Sequence, residues 1–202
     1  MYILDVDVRT RDEVLRLGVN ESYVLRVDVD HASLVAETVF GVLRGLESFY
    51  QLIDFDYPQG YSIDRLPVFV RDYPRFSWRG LMIDTARHYL TVDSIKRMID
   101  GLEASKMNTL HWHAVDAQSF PIHSERFPEL SEKGAYYPFA VYNHSVISDI
   151  IEYGRLRGVR VVVEFDVPGM NSKKNSKLGH SASWGKGDPK LTVQCPKYEH
   201  NV

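Results

Sequence analysis

GLMID (80–84), TLHWH (109–113) and VRVVVEFD (159–166) are the three stretches that decide the fold of this chain. Each is a short apolar run with the length of a buried strand, and apolar residues recur at helical spacing between them, near 93–106 and near 145–157. Strands that alternate with helices in this way form a parallel sheet. The second half of the chain is therefore predicted to have the order β-α-β-α-β.

All three predicted strands end in polar side chains, at Asp84, at His113, and at Glu164 with Asp166. In a β/α barrel, the residues that face the substrate lie at the carboxyl ends of the strands. A closed barrel of this type needs eight strands, so three are far too few to close one. We expect the candidate site to lie where these polar residues meet.

The first part of the chain follows a different pattern. Residues 2–8 and 22–29 alternate apolar and polar side chains with a period of two, as half-buried antiparallel strands do, and the odd-numbered residues of the second stretch would share one face. Apolar residues from Val35 to Ile53 follow steps of three and four, which predicts an amphipathic helix of about 20 residues. This helix could cover the sheet.

A boundary is predicted near residue 74. A further strand-like stretch runs from Tyr61 to Val70, and Pro74 then interrupts the pattern. We expect an α+β domain over residues 1–74 and a second domain over residues 75–202.

Composition and charge exclude several classes of partner. With 44% hydrophobic residues the chain can form a core, and its net charge of -3 gives no basic excess that would attract nucleic acid or an anionic membrane. No apolar run approaches the roughly 20 residues needed to span a bilayer, and the acidic N-terminus MYILDVDVRTRDE is unlike a signal peptide. A small neutral partner is favoured.

The cellular compartment is left open by the residues alone. A single cysteine, Cys195, cannot form a disulfide within the chain, which favours a reducing compartment. Two N-x-S glycosylation patterns, at Asn20 and Asn143, point weakly towards a secreted or lysosomal protein.

The cluster DTARHY (84–89) follows the first parallel strand and offers two interpretations of Arg87. A guanidinium presents parallel N–H donors that could hold two neighbouring hydroxyls of a sugar ring. Alternatively, Arg87 pairs with Asp84 and fixes the loop.

The stretch HWHAVDAQSFP (111–121) allows a metal site or a structural arrangement. His111 and His113 share one face of a strand with Asp116 nearby, as in some zinc-dependent barrel hydrolases. The alternatives are packed, hydrogen-bonded histidines and an Asp116 that orients another side chain. The acids of EFDVPG (164–169) could act as paired carboxylates, but they are as well explained as solvated or ion-paired residues.

Six segments, read in order, resemble the eukaryotic β-N-acetylhexosaminidases of glycoside hydrolase family 20. The match covers nearly the whole chain. The segments are AETVFGVLRGLESFYQL (36–52), YPRFSWRGLMIDTARHYL (73–90), KMNTLHWHAVDAQSFP (106–121), FPELSEKGAY (127–136), EYGRLRGVRVVVEFDVPG (152–169) and HSASWGKG (180–187).

The resemblance implies an α+β N-terminal domain followed by the first three β/α units of a (β/α)8 TIM barrel. It also implies an enzyme that removes terminal N-acetylglucosamine or N-acetylgalactosamine from glycoconjugates or chito-oligosaccharides. Such an enzyme retains the anomeric configuration, because the substrate's own acetamido oxygen acts as the nucleophile. Arg87 would bind ring hydroxyls, and Asp116 with His180 would form a relay that supports the general-acid glutamate. No metal or organic cofactor is expected.

The resemblance further implies a lysosomal or extracellular protein that acts on terminal N-acetylhexosamine glycans and whose parent forms homodimers or heterodimers. Neither nucleic-acid binding nor membrane insertion is expected. Cys195 would form a disulfide with a partner cysteine that this chain does not contain.

Two features depart from the family pattern. Residues 170–179 separate the proline-glycine of EFDVPG from His180, and deleting them restores PGHSASWG. The chain also ends at Val202, before the family's catalytic aspartate–glutamate pair. We therefore expect this chain to be inactive alone, or to be an inactive isoform that binds glycans or a full-length subunit.

Overall fold

The structure, a computed structural model, describes residues 3–166, and these form two units that are each built on a sheet of their own. The N-terminal unit, residues 3–72, contains β1 (Ile3–Val8), β2 (Tyr23–Val27), β3 (His31–Ala36), α1 (Val39–Gln51), β4 (Asp54–Asp56), β5 (Gly60–Ser62) and β6 (Val68–Asp72). Four strands form a sheet in the order β1-β3-β2-β6, in which β1 runs parallel to β3 and the other neighbours are antiparallel. The strands β4 and β5 form a separate hairpin.

The helix α1 packs closely on this sheet because two glycines face it. A Cβ atom at Gly45 would lie 2.3 Å from Leu34 Cδ1, and one at Gly41 would lie 2.5 Å from the backbone oxygen of Ser22. Only glycine permits this approach. Thr38 caps the helix by accepting a hydrogen bond from the backbone N–H of Gly41 at 3.2 Å.

The predicted helix of this unit covers the sheet as expected, but it is shorter than predicted and part of its buried face was missed. It has 13 residues, fewer than the predicted length of about 20, because Val35 belongs to β3 and only continues the helical spacing by chance. Its buried face carries Phe40 and Arg44 beside the two glycines, whereas Tyr50 is 71% exposed. The predicted residues Val42 and Phe49 do pack on the core, but glycines carry no apolar signal, so the pattern missed the part of the buried face that Gly41 and Gly45 form.

The sequence predicted some of the strands of this unit and missed others. Residues 61–70 divide between β5 and β6, and β3 was not predicted as a strand. Val29 is 67% exposed because β2 ends at Val27, two residues before the predicted limit. The first two predicted strands do belong to one sheet, but β3 lies between them.

The C-terminal unit, residues 79–166, confirms the predicted β-α-β-α-β order. It contains β7 (Gly80–Asp84), α2 (Val92–Ala104), β8 (Thr109–Val115), α3 (Glu129–Gly134), α4 (His144–Arg155) and β9 (Arg160–Phe165). The three strands form a parallel sheet in the order β7-β8-β9. The short helix α3 was not predicted, because six mostly polar residues give no helical periodicity.

The helices α2 and α4 begin at side-chain caps and bury one face each. Thr91 accepts from the backbone N–H of Ser94 at 3.2 Å, and Asn143 accepts from that of Val146 at 2.9 Å. In residues 3–166, no helix is both long and apolar enough to cross a membrane. The fully buried core residues include Ile95, Ile99, Leu110, Trp112, Tyr142, Ile150 and Val159.

A buried cluster joins the two units at the amino ends of the parallel strands. Glu21 lies at its centre and is 4% exposed. One carboxylate oxygen accepts hydrogen bonds from Arg44 Nε at 2.8 Å and from Arg79 Nη2 at 2.6 Å. The other accepts one from Asn108 Nδ2 at 2.8 Å. We call these four residues the interface cluster.

Arg44 also connects the interface cluster to the backbone of the C-terminal unit. Arg44 Nη2 donates to the backbone oxygens of Gly158 at 2.7 Å and Met107 at 3.1 Å, just before β9 and β8 begin. Burial opposes ionisation of Glu21, but hydrogen bonds from Arg79 and Arg44 outweigh it and hold the pKa of Glu21 below its ordinary value. Glu21 is therefore ionised at neutral pH.

Candidate functional site

A second cluster of charged side chains lies at the opposite, carboxyl ends of the same parallel strands. It forms because the ends of parallel strands meet at one edge of the sheet, so that residues far apart in the chain become neighbours. We call it the strand-end cluster. Its members are Asp84 at the end of β7 and Arg87 after it, His111, His113 and Asp116 on and after β8, and Glu164 on β9.

Arg87 is held between two carboxylates and remains accessible. Its Nη1 lies 2.8 Å from Asp84 Oδ2 and its Nη2 lies 2.7 Å from Asp116 Oδ2, yet the side chain is 45% exposed. Asp84 Oδ1 also accepts the backbone N–H of Arg87 at 3.0 Å. Burial opposes ionisation of Asp84, but the hydrogen bonds from Arg87 lower its pKa. The guanidinium is thus fixed in direction at an open surface.

Asp116 is a buried carboxylate that contacts Arg87 and His113. It is 1% exposed, and its Oδ2 accepts from His113 Nε2 at 2.8 Å as well as from Arg87. Its Oδ1 accepts from the backbone N–H of Ala117. Burial alone would raise the pKa of Asp116, but the hydrogen bonds from Ala117 and His113 and the charge of Arg87 lower it. Asp116 is therefore an ionised group with a fixed orientation.

His113 connects Asp116 to the next strand. Its Nδ1 lies 2.9 Å from Glu164 Oε2, so each ring nitrogen contacts a carboxylate. Burial disfavours the imidazolium, but the hydrogen bonds with Glu164 and Asp116 outweigh burial and raise the pKa of His113. Both ring nitrogens can then donate, as the protonated form requires.

Glu164 is shared by both histidines of β8. The same oxygen, Oε2, lies 2.6 Å from His111 Nε2 and 2.9 Å from His113 Nδ1. The hydrogen bond from His113 and that from His111 lower the pKa of Glu164, although burial opposes them. A continuous chain of hydrogen bonds therefore runs across all three strand ends, from His111 to Asp84.

Comparison with known proteins assigns the chain to a family. Residues 76–201 match the model of glycosyl hydrolase family 20, catalytic domain, and residues 1–52 match beta-acetyl hexosaminidase like. The chain belongs to glycosyl hydrolase family 20. The predicted family is thereby confirmed.

Relatives in this family are similar over most of the chain. Beta-hexosaminidase subunit A1 of Dictyostelium discoideum is 43% identical over 202 residues, which are 100% of this chain and 36% of that protein. Beta-hexosaminidase subunit beta of Felis catus is 47% identical over 176 residues, 87% of this chain and 31% of that protein. The chain spans about a third of the length of these curated relatives.

Solved structures of the family share the fold. The chitobiase of Flavobacterium johnsoniae is 38% identical with a TM-score of 0.76, covering 84% of this chain and 25% of that one. The beta-N-acetylhexosaminidase of Bacteroides fragilis is 27% identical with a TM-score of 0.72, covering 87% of this chain and 36% of that one.

Two of the predicted site residues of this family 20 chain, Arg87 and Asp116, lie together in the strand-end cluster. Arg87 and Asp116 are in contact, and the pairing of Arg87 with Asp84 also occurs. The glycosylation candidates Asn20 and Asn143 are both exposed. The predicted relay histidine His180 and the predicted disulfide residue Cys195 lie outside the described residues.

Sequence reasoning missed the part that Glu164 plays. Ion pairing was one of the alternatives given for it and does occur, but its two partners, His111 and His113, were not predicted. A signal was present, since His111 and His113 lie two residues apart on one face of β8. Glu164 lies opposite His113 in the register of β8 and β9.

The metal alternative proposed the wrong set of residues. It combined His111, His113 and Asp116, but His111 contacts Glu164 instead. In residues 3–166, the group of three potential ligand residues whose ligand atoms all lie within 4.8 Å of one another is His113, Asp116 and Asp166. Both ring nitrogens of His113 and the Oδ2 atom of Asp116 already have partners, so this arrangement fits a hydrogen-bonded relay better than a set of metal ligands.

Proposed function

We propose that the protein containing this chain is an exo-β-N-acetylhexosaminidase. It removes terminal, non-reducing N-acetylglucosamine or N-acetylgalactosamine from glycoconjugates or chito-oligosaccharides. The reaction retains the anomeric configuration, and the acetamido oxygen of the substrate is the nucleophile. The single observation that carries this proposal is the contact of exposed Arg87 with buried, ionised Asp116 at the strand ends of a family 20 chain.

In this proposal Arg87 binds neighbouring ring hydroxyls of the terminal sugar. Its fork of N–H donors suits two hydroxyls held at once, and Asp84 and Asp116 fix the direction of that fork. An arginine fixed in advance loses little conformational entropy when the sugar binds. The relative position of sugar and protein is then set before any bond breaks.

Asp116 serves as a fixed negative charge that orients an imidazole. A buried carboxylate with a lowered pKa keeps its charge through the pH range in which histidine titrates, so it can hold an imidazole in one orientation. We assign the second half of this relay to His180, in accordance with the family resemblance. The relay would support the general acid of the reaction.

The proposal also covers the domain architecture, the oligomeric state and the cellular location of the protein. The parallel strands β7, β8 and β9 support residues 75–202 as the first three β/α units of a (β/α)8 barrel, after an α+β domain that ends near residue 74. The word subunit in the names of relatives supports a dimeric parent. A lysosomal or extracellular location would suit glycans at Asn20 and Asn143 and a disulfide at Cys195.

Hydrolysis of a chromogenic N-acetyl-β-glucosaminide by the protein at its native length tests the proposal. We expect Arg87→Ala to lower kcat/KM about 100-fold, since hydrogen bonds from a charged group to the sugar are lost. Arg155→Ala is the matched control, because Arg155 is a comparably exposed arginine that pairs with Glu152 at 2.8 Å on the outer helix α4. It should leave kcat/KM unchanged.

Equal turnover by Arg87→Ala and Arg155→Ala would contradict the role of Arg87. Binding of N-acetylglucosamine without turnover of any substrate would replace the proposed enzyme with a glycan-binding protein. Turnover of a β-glucoside that lacks the acetamido group, at the same rate, would contradict the substrate-assisted mechanism.

A further inference from the structure

An exposed aromatic pair lies on the loop that connects α3 to α4. The rings of Tyr137 and Phe139 are parallel, with an interplanar angle of 1° and centroids 5.3 Å apart. Tyr137 is 61% exposed and Phe139 is 77% exposed. Single exposed apolar residues are common and need no explanation. Two parallel rings whose centroids are 5.3 Å apart are offset-stacked, and because both side chains are exposed they leave ring faces open to solvent as a paired apolar surface.

The backbone beneath this pair is anchored to the core. Ala140 is buried and donates its backbone N–H to the backbone oxygen of Tyr137 at 2.9 Å, which closes a turn. Two residues later, Tyr142 is fully buried, stacks on Tyr89 at 4.8 Å and meets Trp112 edge-on at 5.0 Å. The turn therefore presents its aromatic rings from a fixed base.

The same loop contacts the residue that is proposed to bind the sugar. The hydroxyl of Tyr136 donates to the backbone oxygen of Arg87 at 3.2 Å. Tyr137 and Phe139 follow Tyr136 by one and three residues on the same loop. The loop that carries the aromatic pair is therefore tied to the loop that carries Arg87.

We propose that Tyr137 and Phe139 form a stacking surface for the second sugar of a saccharide whose terminal residue is bound at Arg87. This inference rests on the proposed function. A pyranose ring has a flat face of C–H groups, and aromatic side chains bind such a face through dispersion and exclusion of water. The site would favour neutral oligosaccharides over the isolated terminal sugar.

The structure offers a matched control for this surface. Phe55 and Tyr61 form another exposed aromatic contact on the β4–β5 hairpin, with ring centroids 5.0 Å apart and exposures of 62% and 79%. This pair lies in the N-terminal unit and is not on the loop that contacts Arg87. Replacing both rings removes the same kind of side chain from a different place.

The test uses the protein at its native length and measures affinity for N-acetylglucosamine as its inhibition constant and for the β-1,4-linked disaccharide as the KM of its initial-rate hydrolysis. Wild type should bind the disaccharide more tightly. The double variant Tyr137→Ala, Phe139→Ala should bind the disaccharide about tenfold more weakly, as expected when an aromatic contact is lost, and the monosaccharide unchanged. The double variant Phe55→Ala, Tyr61→Ala should behave as wild type for both sugars.

Three results would overturn the inference, and they separate it from the proposed function. Equal affinity of wild type for both sugars, or full retention of disaccharide affinity in the Tyr137, Phe139 variant, would refute the stacking surface alone. Failure of wild type to bind either sugar would refute the proposed function and this inference together. A Tyr137→Leu, Phe139→Leu variant guards against misfolding, because it keeps apolar side chains and removes only the flat rings.

Discussion

The interface cluster and the strand-end cluster lie at opposite ends of the β7-β8-β9 sheet and use the same kind of contact. In each, an arginine lies within 2.8 Å of a carboxylate that is almost fully buried. They differ in access and in composition. Arg44 is 4% exposed and the interface cluster contains no histidine, whereas Arg87 is 45% exposed and two histidines join the strand-end cluster.

This difference separates a structural role from a chemical one. A buried ion pair whose hydrogen bonds are all made has one charge state and one arrangement, so it fixes geometry. An open cluster with imidazoles can change its protonation state near neutral pH and can exchange water for a ligand. Ion pairs alone therefore do not indicate a functional site, but ion pairs with access and histidines do.

The largest effect is expected from removing the central charge of the interface cluster. Glu21→Gln would leave Arg44 and Arg79 without a compensating charge, one of them fully buried. Loss of one partner of a buried ion pair costs about 3–5 kcal/mol of unfolding free energy. Urea unfolding followed by circular dichroism measures this change.

Glu13→Gln is the control for that prediction. Glu13 is 70% exposed and lies 4.0 Å from Arg155, so its pairing contributes at most about 1 kcal/mol. If Glu21→Gln and Glu13→Gln had equal effects on unfolding, the interface cluster would not have the structural role described above.

A smaller effect is expected from Gly45→Ala, which tests whether the interface cluster depends on the close approach of α1. The added Cβ would lie 2.3 Å from Leu34 Cδ1 and would push the helix that carries Arg44 away from the sheet. Overpacking costs about 1–3 kcal/mol, which exceeds the gain of about 1 kcal/mol in helix propensity. Thermal unfolding should show a lower Tm.

The matched control is Gly101→Ala in α2. Nothing lies within 4 Å of the position of its added Cβ, so the propensity gain stands alone and Tm should rise. A rise in Tm for both variants would mean that α1 has room to move, and that Gly45 is not needed for the approach.

The two clusters also differ in how far the sequence could predict them. The strand-end cluster was partly predictable, because β-α-β-α-β periodicity by itself places Asp84, His113 and Glu164 at one edge of a parallel sheet. The interface cluster was not. Glu21 lies in a loop with no periodicity, and its partners are 23, 58 and 87 residues away in the chain. Local patterns carry no information about such distant contacts.

The smallest effect concerns the pH dependence of stability, which should arise in the strand-end cluster. Glu164, Asp116 and Arg87 face the ring of His113, and the two carboxylates raise its pKa above the ordinary value in spite of burial. A group whose pKa is raised on folding stabilises the folded state fully below its unfolded pKa, about 6.5 for histidine. That contribution is lost as the pH rises through the higher, folded-state pKa.

We therefore expect the unfolding free energy of wild type to decline from pH 6 towards alkaline pH by more than that of His113→Gln, which has no proton to lose. Urea unfolding at a series of pH values measures the difference between the two proteins. His88→Gln is the control, since the ring of His88 is exposed and its Nδ1 contacts the backbone oxygen of Tyr89 rather than a carboxylate. Parallel pH profiles for wild type and His113→Gln would show that His113 does not hold an extra proton in the folded state. The strand-end cluster would then resemble the interface cluster in having one charge state, and access alone would distinguish the two.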